Sequence, residues 1–133
     1  MTRSKFLRIL SFFIFPVFVI FAHVIFSFLN FYSNFSWFDS FMHFFGGLSI
    51  SYTSILFLKL FEERKMLIIK NGFVFVLIVV SLVVLVGVFW EFLELLLQIF
   101  FNIVTQPSVR DTITDLLMGL LGGLLGAIFF RKI

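Results

Sequence analysis

Glu91 and Glu94 are the residues of this sequence that first demand a chemical explanation. They sit inside a long apolar run, with Gly87 four residues before Glu91 and Gln98 four after Glu94. That spacing sets Gly87, Glu91, Glu94 and Gln98 on one face of a helix. A charged carboxylate near the centre of a membrane-crossing helix costs roughly 2.5–3.5 kcal/mol on insertion scales. Such a charge is retained where something answers it.

Two further stretches carry the same kind of pair. Asp39 and His43 are four apart and share a helical face, continued roughly by Gly46, Gly47, Ser51 and Ser54. Asp111, Asp115, Gly119, Gly122 and Gly126 fall on one face of a third stretch, with Thr112 and Thr114 in its first turn. Small residues let a neighbouring helix come close, so each polar pair is backed by a packing surface. The glycines also make overlapping small-xxx-small patterns, Gly119 with Gly123 and Gly122 with Gly126, read as packing within the chain.

Five carboxylates gathered in a low dielectric cannot all stay ionised alone. Either several bind protons or cations sit among them. Arg110 and a protonated His43 offset only part of that charge. The sharp expectation is a divalent metal ion held by Asp39, His43, Glu91, Glu94, Asp111 and Asp115. One imidazole with several carboxylate oxygens suits zinc, manganese, magnesium or iron. Soluble four-helix bundles build such centres from facing helices, although the Glu-x-x-His spacing they use is not present here. Glu91 or Glu94 is then the candidate catalytic base. The plainer alternative is a proton-sharing hydrogen-bond network that fixes helix packing. His23, alone on an apolar stretch, reads as a satisfied core or interface histidine. The serines Ser51, Ser54 and Ser81 have no suitably placed base, and neither a phosphate loop nor an HExxH motif is present.

The elements that must position these groups follow from composition. Of 133 residues, 62% are hydrophobic and only 13% charged. Soluble domains are about a quarter charged. The 24 phenylalanines exceed what one small soluble core could bury, so they are lipid-facing bulk or core rather than a cofactor box. An integral membrane protein is expected, all-α and a single domain over residues 1–133, in contact with the lipid bilayer. With no cysteine, disulfides, thiolate metal sites and thiol catalysis are excluded. The net charge of +3 comes from basic residues flanking apolar spans and is not a nucleic-acid signal.

Four transmembrane helices are expected, at about 9–29, 37–61, 73–100 and 111–130. The first run is too long for a signal-peptide core of about 7–15 residues and no small-x-small cleavage pattern follows, so it reads as a retained span. Pro16 inside it is placed to kink it. Residues 30–36 read as a short polar connector, and Asn102 to Arg110, with Pro107, as a loop. Asp111 or the Ser108 hydroxyl is a candidate cap for the last helix. An even number of spans puts both termini on one side. Arg3, Lys5, Arg8, Lys59, Arg64, Lys65, Lys70, Arg131 and Lys132 then share that side, with Arg110 on the other. That bias makes both termini cytoplasmic and puts all three polar pairs in the outer half of the bilayer. His43 lies about 9 Å in from Trp37 and Glu91 about 14 Å in from Phe100, at 1.5 Å per residue.

The set Asp39-xxx-His43 with following glycines, Trp90-Glu91-xx-Glu94, and Asp111-Thr112-xx-Asp115 with Gly119 and Gly123 resembles the YjdF-type bacterial inner-membrane proteins, whose biochemical role is not established. A looser likeness is to VanZ-like proteins, although Gly119 stands where their last motif has Asn. The resemblance spans roughly residues 37–126. It implies a bacterial inner-membrane location, and the VanZ likeness implies cell-envelope work. On this reading a metal-dependent site acts on lipid-linked or envelope molecules, with the metal polarising an oxygen or activating water. The competing readings are a cation or proton transporter subunit, assembled as a homo-oligomer, and a structural or partner-binding protein. Transport needs a polar path to the inner side, and the inner halves of the spans offer almost only apolar and small residues.

Overall fold

The computed structural model describes residues 3–102 and 108–132, with side chains from residue 10 onward. Residues 103–107, including Pro107 and most of the segment read as a loop, lie outside the described residues. Five α-helices follow in order: α1 Arg3–Phe28, α2 Phe31–Asn34, α3 Phe38–Glu63, α4 Gly72–Phe101 and α5 Val109–Phe129, closed by a 3-10 turn at Phe130–Lys132. No strand occurs among the described residues. Four of these helices are long and apolar enough to cross a membrane. At 1.5 Å per residue, the 30 residues of α4 span about 45 Å, more than the roughly 30 Å hydrocarbon core, so α4 must tilt or project.

The helix ends have local causes. Asn71 caps α4, its Oδ1 accepting from the backbone N–H groups of Phe73 and Val74 at 2.8 and 3.3 Å. Ser108 caps α5, its hydroxyl oxygen accepting from the Asp111 N–H at 3.2 Å, so the serine rather than Asp111 takes that role. Asn102 ends α4 in the left-handed conformation that asparagine tolerates, at φ 55°. The segment read as a polar connector differs from expectation. Its residues Phe31–Asn34 wind one helical turn, α2. Aromatic packing fixes that turn, with the Phe31 and Tyr32 rings 5.2 and 5.5 Å from that of Phe38.

The centre of the bundle is the α3–α5 pair, the most extensive contact in the fold. Glycine makes it possible. A Cβ on Gly47 would run into the Gly119 carbonyl, and one on Gly122 into the Phe44 carbonyl. A Cβ on Gly126 would stand 2.7 Å from the Ser51 hydroxyl. These glycines therefore serve packing within the chain. At the end of the bundle that carries Lys59, Arg64, Lys70 and Arg131, Ile55, Leu58, Phe75, Val79 and Ala127 form a dry core. The site lies toward the opposite end.

Helix α1 is attached differently. It packs on α3 and α2, and among the described residues its backbone approaches neither α4 nor α5. A polar contact to α3 ties it down at its proline. Pro16 has no N–H, which orphans the carbonyl of Phe12 four residues earlier. The Thr53 hydroxyl on α3 donates to that carbonyl at 2.8 Å. A helix break that lipid could not satisfy is thus repaired by a neighbouring helix.

Candidate functional site

Each functional side chain reaches the interior because its helical period matches the packed face. Asp39 and His43 lie one turn apart on α3, Glu91 and Glu94 one turn apart on α4, and Asp111 and Asp115 one turn apart on the first turns of α5. The structure brings all six together. Three overlapping triads each have a candidate ligand atom from every member within 4.8 Å of the others: Asp39 with His43 and Glu94; His43 with Glu91 and Asp115; Asp39 with Asp111 and Asp115. Glu91, Glu94 and Asp115 are buried, while Asp39 and Asp111 are partly exposed.

His43 is the hub. Its side chain is 9% exposed, and Nε2 stands 3.7 Å from a Glu91 oxygen and 3.8 Å from an Asp39 oxygen. Both separations exceed hydrogen-bond reach. Nε2 is buried and has no hydrogen-bond partner among the described residues. An imidazole nitrogen in that condition is rare, because an unmet buried polar atom costs about 1–3 kcal/mol.

The surrounding groups orient the carboxylates. The Ser40 hydroxyl donates to Asp115 at 2.7 Å, tying α3 to α5. The Trp90 indole N–H donates to Glu94 at 2.8 Å, one turn along α4. His23 stands beside this group. Its Nδ1 shares a 2.6 Å hydrogen bond with the Tyr32 hydroxyl, and its ring meets that of Trp90 edge-on at 5.4 Å. His23 is therefore a satisfied histidine that links α1 to α4. Burial, with the Asp39 and Glu94 charges adding to it, pushes the Tyr32 phenol up from its ordinary range.

Sequence reasoning missed Ser40 and Tyr32 and did not assign Trp90 to Glu94. The i,i+4 spacing of Trp90 and Glu94 was a usable signal. The Ser40–Asp115 bond has none, since it depends on the rotation of α3 against α5. Gln98 is partly buried further along the same face of α4.

Beside the triads lies a cavity of about 170 Å³. It fills the gap between α1 and α4, floored by α3 and α5, and its walls are mostly apolar. His23, His43, Trp90 and Asp115 form its polar end. Gly46, Gly87 and Gly119 line it, and none is needed for close packing. A Cβ on Gly46 would meet nothing within 4 Å, and those on Gly87 and Gly119 would make ordinary contacts at 3.6 and 3.7 Å.

Four apolar helices of spanning length, with a carboxylate-rich interior, define a multi-pass membrane protein. Residues 2–133 match the family described as a predicted membrane protein family, DUF2238, and the chain belongs to that YjdF-type family. No curated protein and no solved structure matches it.

Proposed function

We propose that this protein holds a divalent metal ion at Asp39, His43, Glu91, Glu94, Asp111 and Asp115, and acts through it on lipid-linked or cell-envelope molecules. The observation that carries the reading is the His43 Nε2, buried, without a hydrogen-bond partner, and flanked by carboxylate oxygens at 3.7 and 3.8 Å. Two ligand atoms about 2.1 Å from one ion, at a tetrahedral angle, stand about 3.4 Å apart. The present spacing is a few tenths of an ångström wider than that. It is too wide for hydrogen bonds and suited to a shared cation. A metal also answers the charge problem, since it brings positive charge to the buried carboxylates of Glu91, Glu94 and Asp115.

Such an ion supplies Lewis-acid polarisation of a phosphoryl or carbonyl oxygen and an activated water. Glu91 or Glu94 serves as general base. Trp90 holds Glu94 in a fixed orientation, which favours a positioned role for that carboxylate. The excess of basic residues on one side supports cytoplasmic termini, and with them a site in the outer half of a bacterial inner membrane, within reach of lipid-linked envelope precursors.

The test is elemental analysis of the purified full chain, with melting measured before and after chelation. The expected result is a stoichiometric divalent ion that Asp115→Asn and His43→Ala remove, with a lower melting temperature in chelator. Protein that binds no divalent ion, with melting unmoved by chelator, refutes the metal reading and leaves a proton-shared packing network.

A further inference from the structure

We infer that the cavity between α1 and α4 is a lateral binding slot for one hydrocarbon chain of a membrane lipid, entered from the bilayer, with the lipid's polar head at His43. The inference rests on the proposed site and names the class of molecule it receives.

Three independent features point to it. The first is the gap itself. Helix α1 leans on α3 and leaves α4, so the interior is open sideways to lipid along that seam. Ile20 on α1 and Val84 on α4 line the cavity while being 50% and 40% exposed, so both stand on its rim. The second is the space. Gly46 and Gly87 face the cavity with no packing reason to be glycine, whereas the adjacent Gly47 is locked against Gly119. An interior packed to glycine contact between α3 and α5 keeps room here. At about 170 Å³ that room is close to an engineered cavity of about 150 Å³ that holds a benzene ring, which suits one chain rather than two. The third is the polar end. His43, nine-tenths buried and with Nε2 unpartnered among the described residues, lines the cavity together with Asp115. Apolar walls with one convergent polar end match an amphiphile. The depth agrees. From Pro16 to His23 the slot runs about 10 Å along α1, at 1.5 Å per residue. A chain lying there brings its head group level with the triads. The His23–Trp90 contact closes the seam beyond that point, so the head is held inside rather than passing through.

The experiment is photolabelling of the full chain in bilayer nanodiscs, with two single-chain probes, a diazirine-bearing farnesol and a diazirine-bearing dodecanol. Labelled peptides are read by mass spectrometry. Labelling by either probe on α1 around Val19 and Ile20 and on α4 around Val83 and Val84 is expected, competed at least tenfold by the unlabelled alcohol. The stronger arm identifies the chain as isoprenoid or acyl. Gly46→Phe and Gly87→Leu should each cut this labelling at least tenfold while labelling of outward residues such as Phe89 stays constant. Labelling spread evenly over the lipid-facing surface, or unmoved by competitor, overturns the inference. The competition arm uses only the wild-type chain, so a variant that fails to fold does not decide the matter. Repeating the labelling after chelation separates the two readings. Slot labelling in protein that binds no metal supports the slot and sinks the metal reading. Bound metal with no competed labelling sinks the slot alone.

Discussion

Gly46→Ala and Gly47→Ala change neighbouring residues on one helix by the same methyl group, and the structure expects opposite results. At Gly47 the new Cβ collides with the backbone carbonyl of Gly119. Neither partner is a side chain that can swing away, so α3 and α5 must move apart or shift. That pair is the most extensive contact in the fold. Overpacking of this kind costs about 1–3 kcal/mol, and a backbone clash belongs at the upper end. At Gly46 the new Cβ meets nothing within 4 Å. Only the helix propensity changes, which favours alanine by up to about 1 kcal/mol. The propensity gain is common to both, so the two variants should differ by the clash alone, about 2–3 kcal/mol, with Gly47→Ala below wild type and Gly46→Ala at or above it. Reversible unfolding in mixed detergent micelles, followed by far-UV circular dichroism, reads this difference. Equal stabilities, or Gly46→Ala as the weaker variant, would refute the assignment of the two glycines to packing and to open space.

Thr53→Val should cost about 1 kcal/mol by orphaning the Phe12 carbonyl, and Pro16→Ala in the same chain should recover most of it by restoring the missing N–H; a double-mutant cycle measures the coupling, and additive losses would contradict it. Ser40→Ala should lower stability by about 1 kcal/mol in apo protein and weaken divalent-ion binding, because Asp115 loses its orienting donor; calorimetric titration in chelated protein tests both, and an unchanged affinity would remove Ser40 from the site. Tyr32, held protonated above its ordinary range, should show no phenolate absorbance in the folded protein at pH values where a free tyrosine ionises. Its unfolded form ionises first, so its contribution to stability is present below about pH 10 and declines as pH rises above that. Asp39→Asn should bring its ionisation to lower pH, since the Asp39 charge is one cause of the shift. Ultraviolet difference spectra follow that change directly.

The spans were legible because apolar runs of bilayer length end at charge or at turn residues, and the polar faces because spacings of three and four survive any rotation of the helix. Boundaries moved by one or two residues at most helix ends. Helix α3 continues past Phe61 to Glu63, where Arg64 and Lys65 turn the chain, Lys65 at φ 57°. Helix α2 stayed hidden because one turn has no period to detect. At Arg3–Phe28 the helix begins well before the apolar run, since a helix leaving the bilayer needs no apolar residues. Within the site, the six candidate residues could be named from spacing alone. What could not be read was anything set by rotation between helices. Gly46 and Gly47 are identical in sequence terms, and only the α3–α5 approach makes one a packing residue and the other a wall of empty space. The same holds for Ser40, one residue from Asp39 yet bonded to a different helix. The separation of α1 from α4 left no mark in the sequence, because lipid and protein ask for the same residues on those faces.

The pairing of α3 with α5 has a consequence for biosynthesis. A chain entering the membrane from its amino end delivers Asp39 and His43 long before Asp111 and Asp115 exist. Until the last helix arrives, Asp39 and His43 have only the α4 carboxylates beside them, and the glycine face of α3 that α5 will cover is left to lipid, water or a chaperoning insertase. The nascent protein thus passes through an immature stage in which its most extensive helix pairing is still unmade.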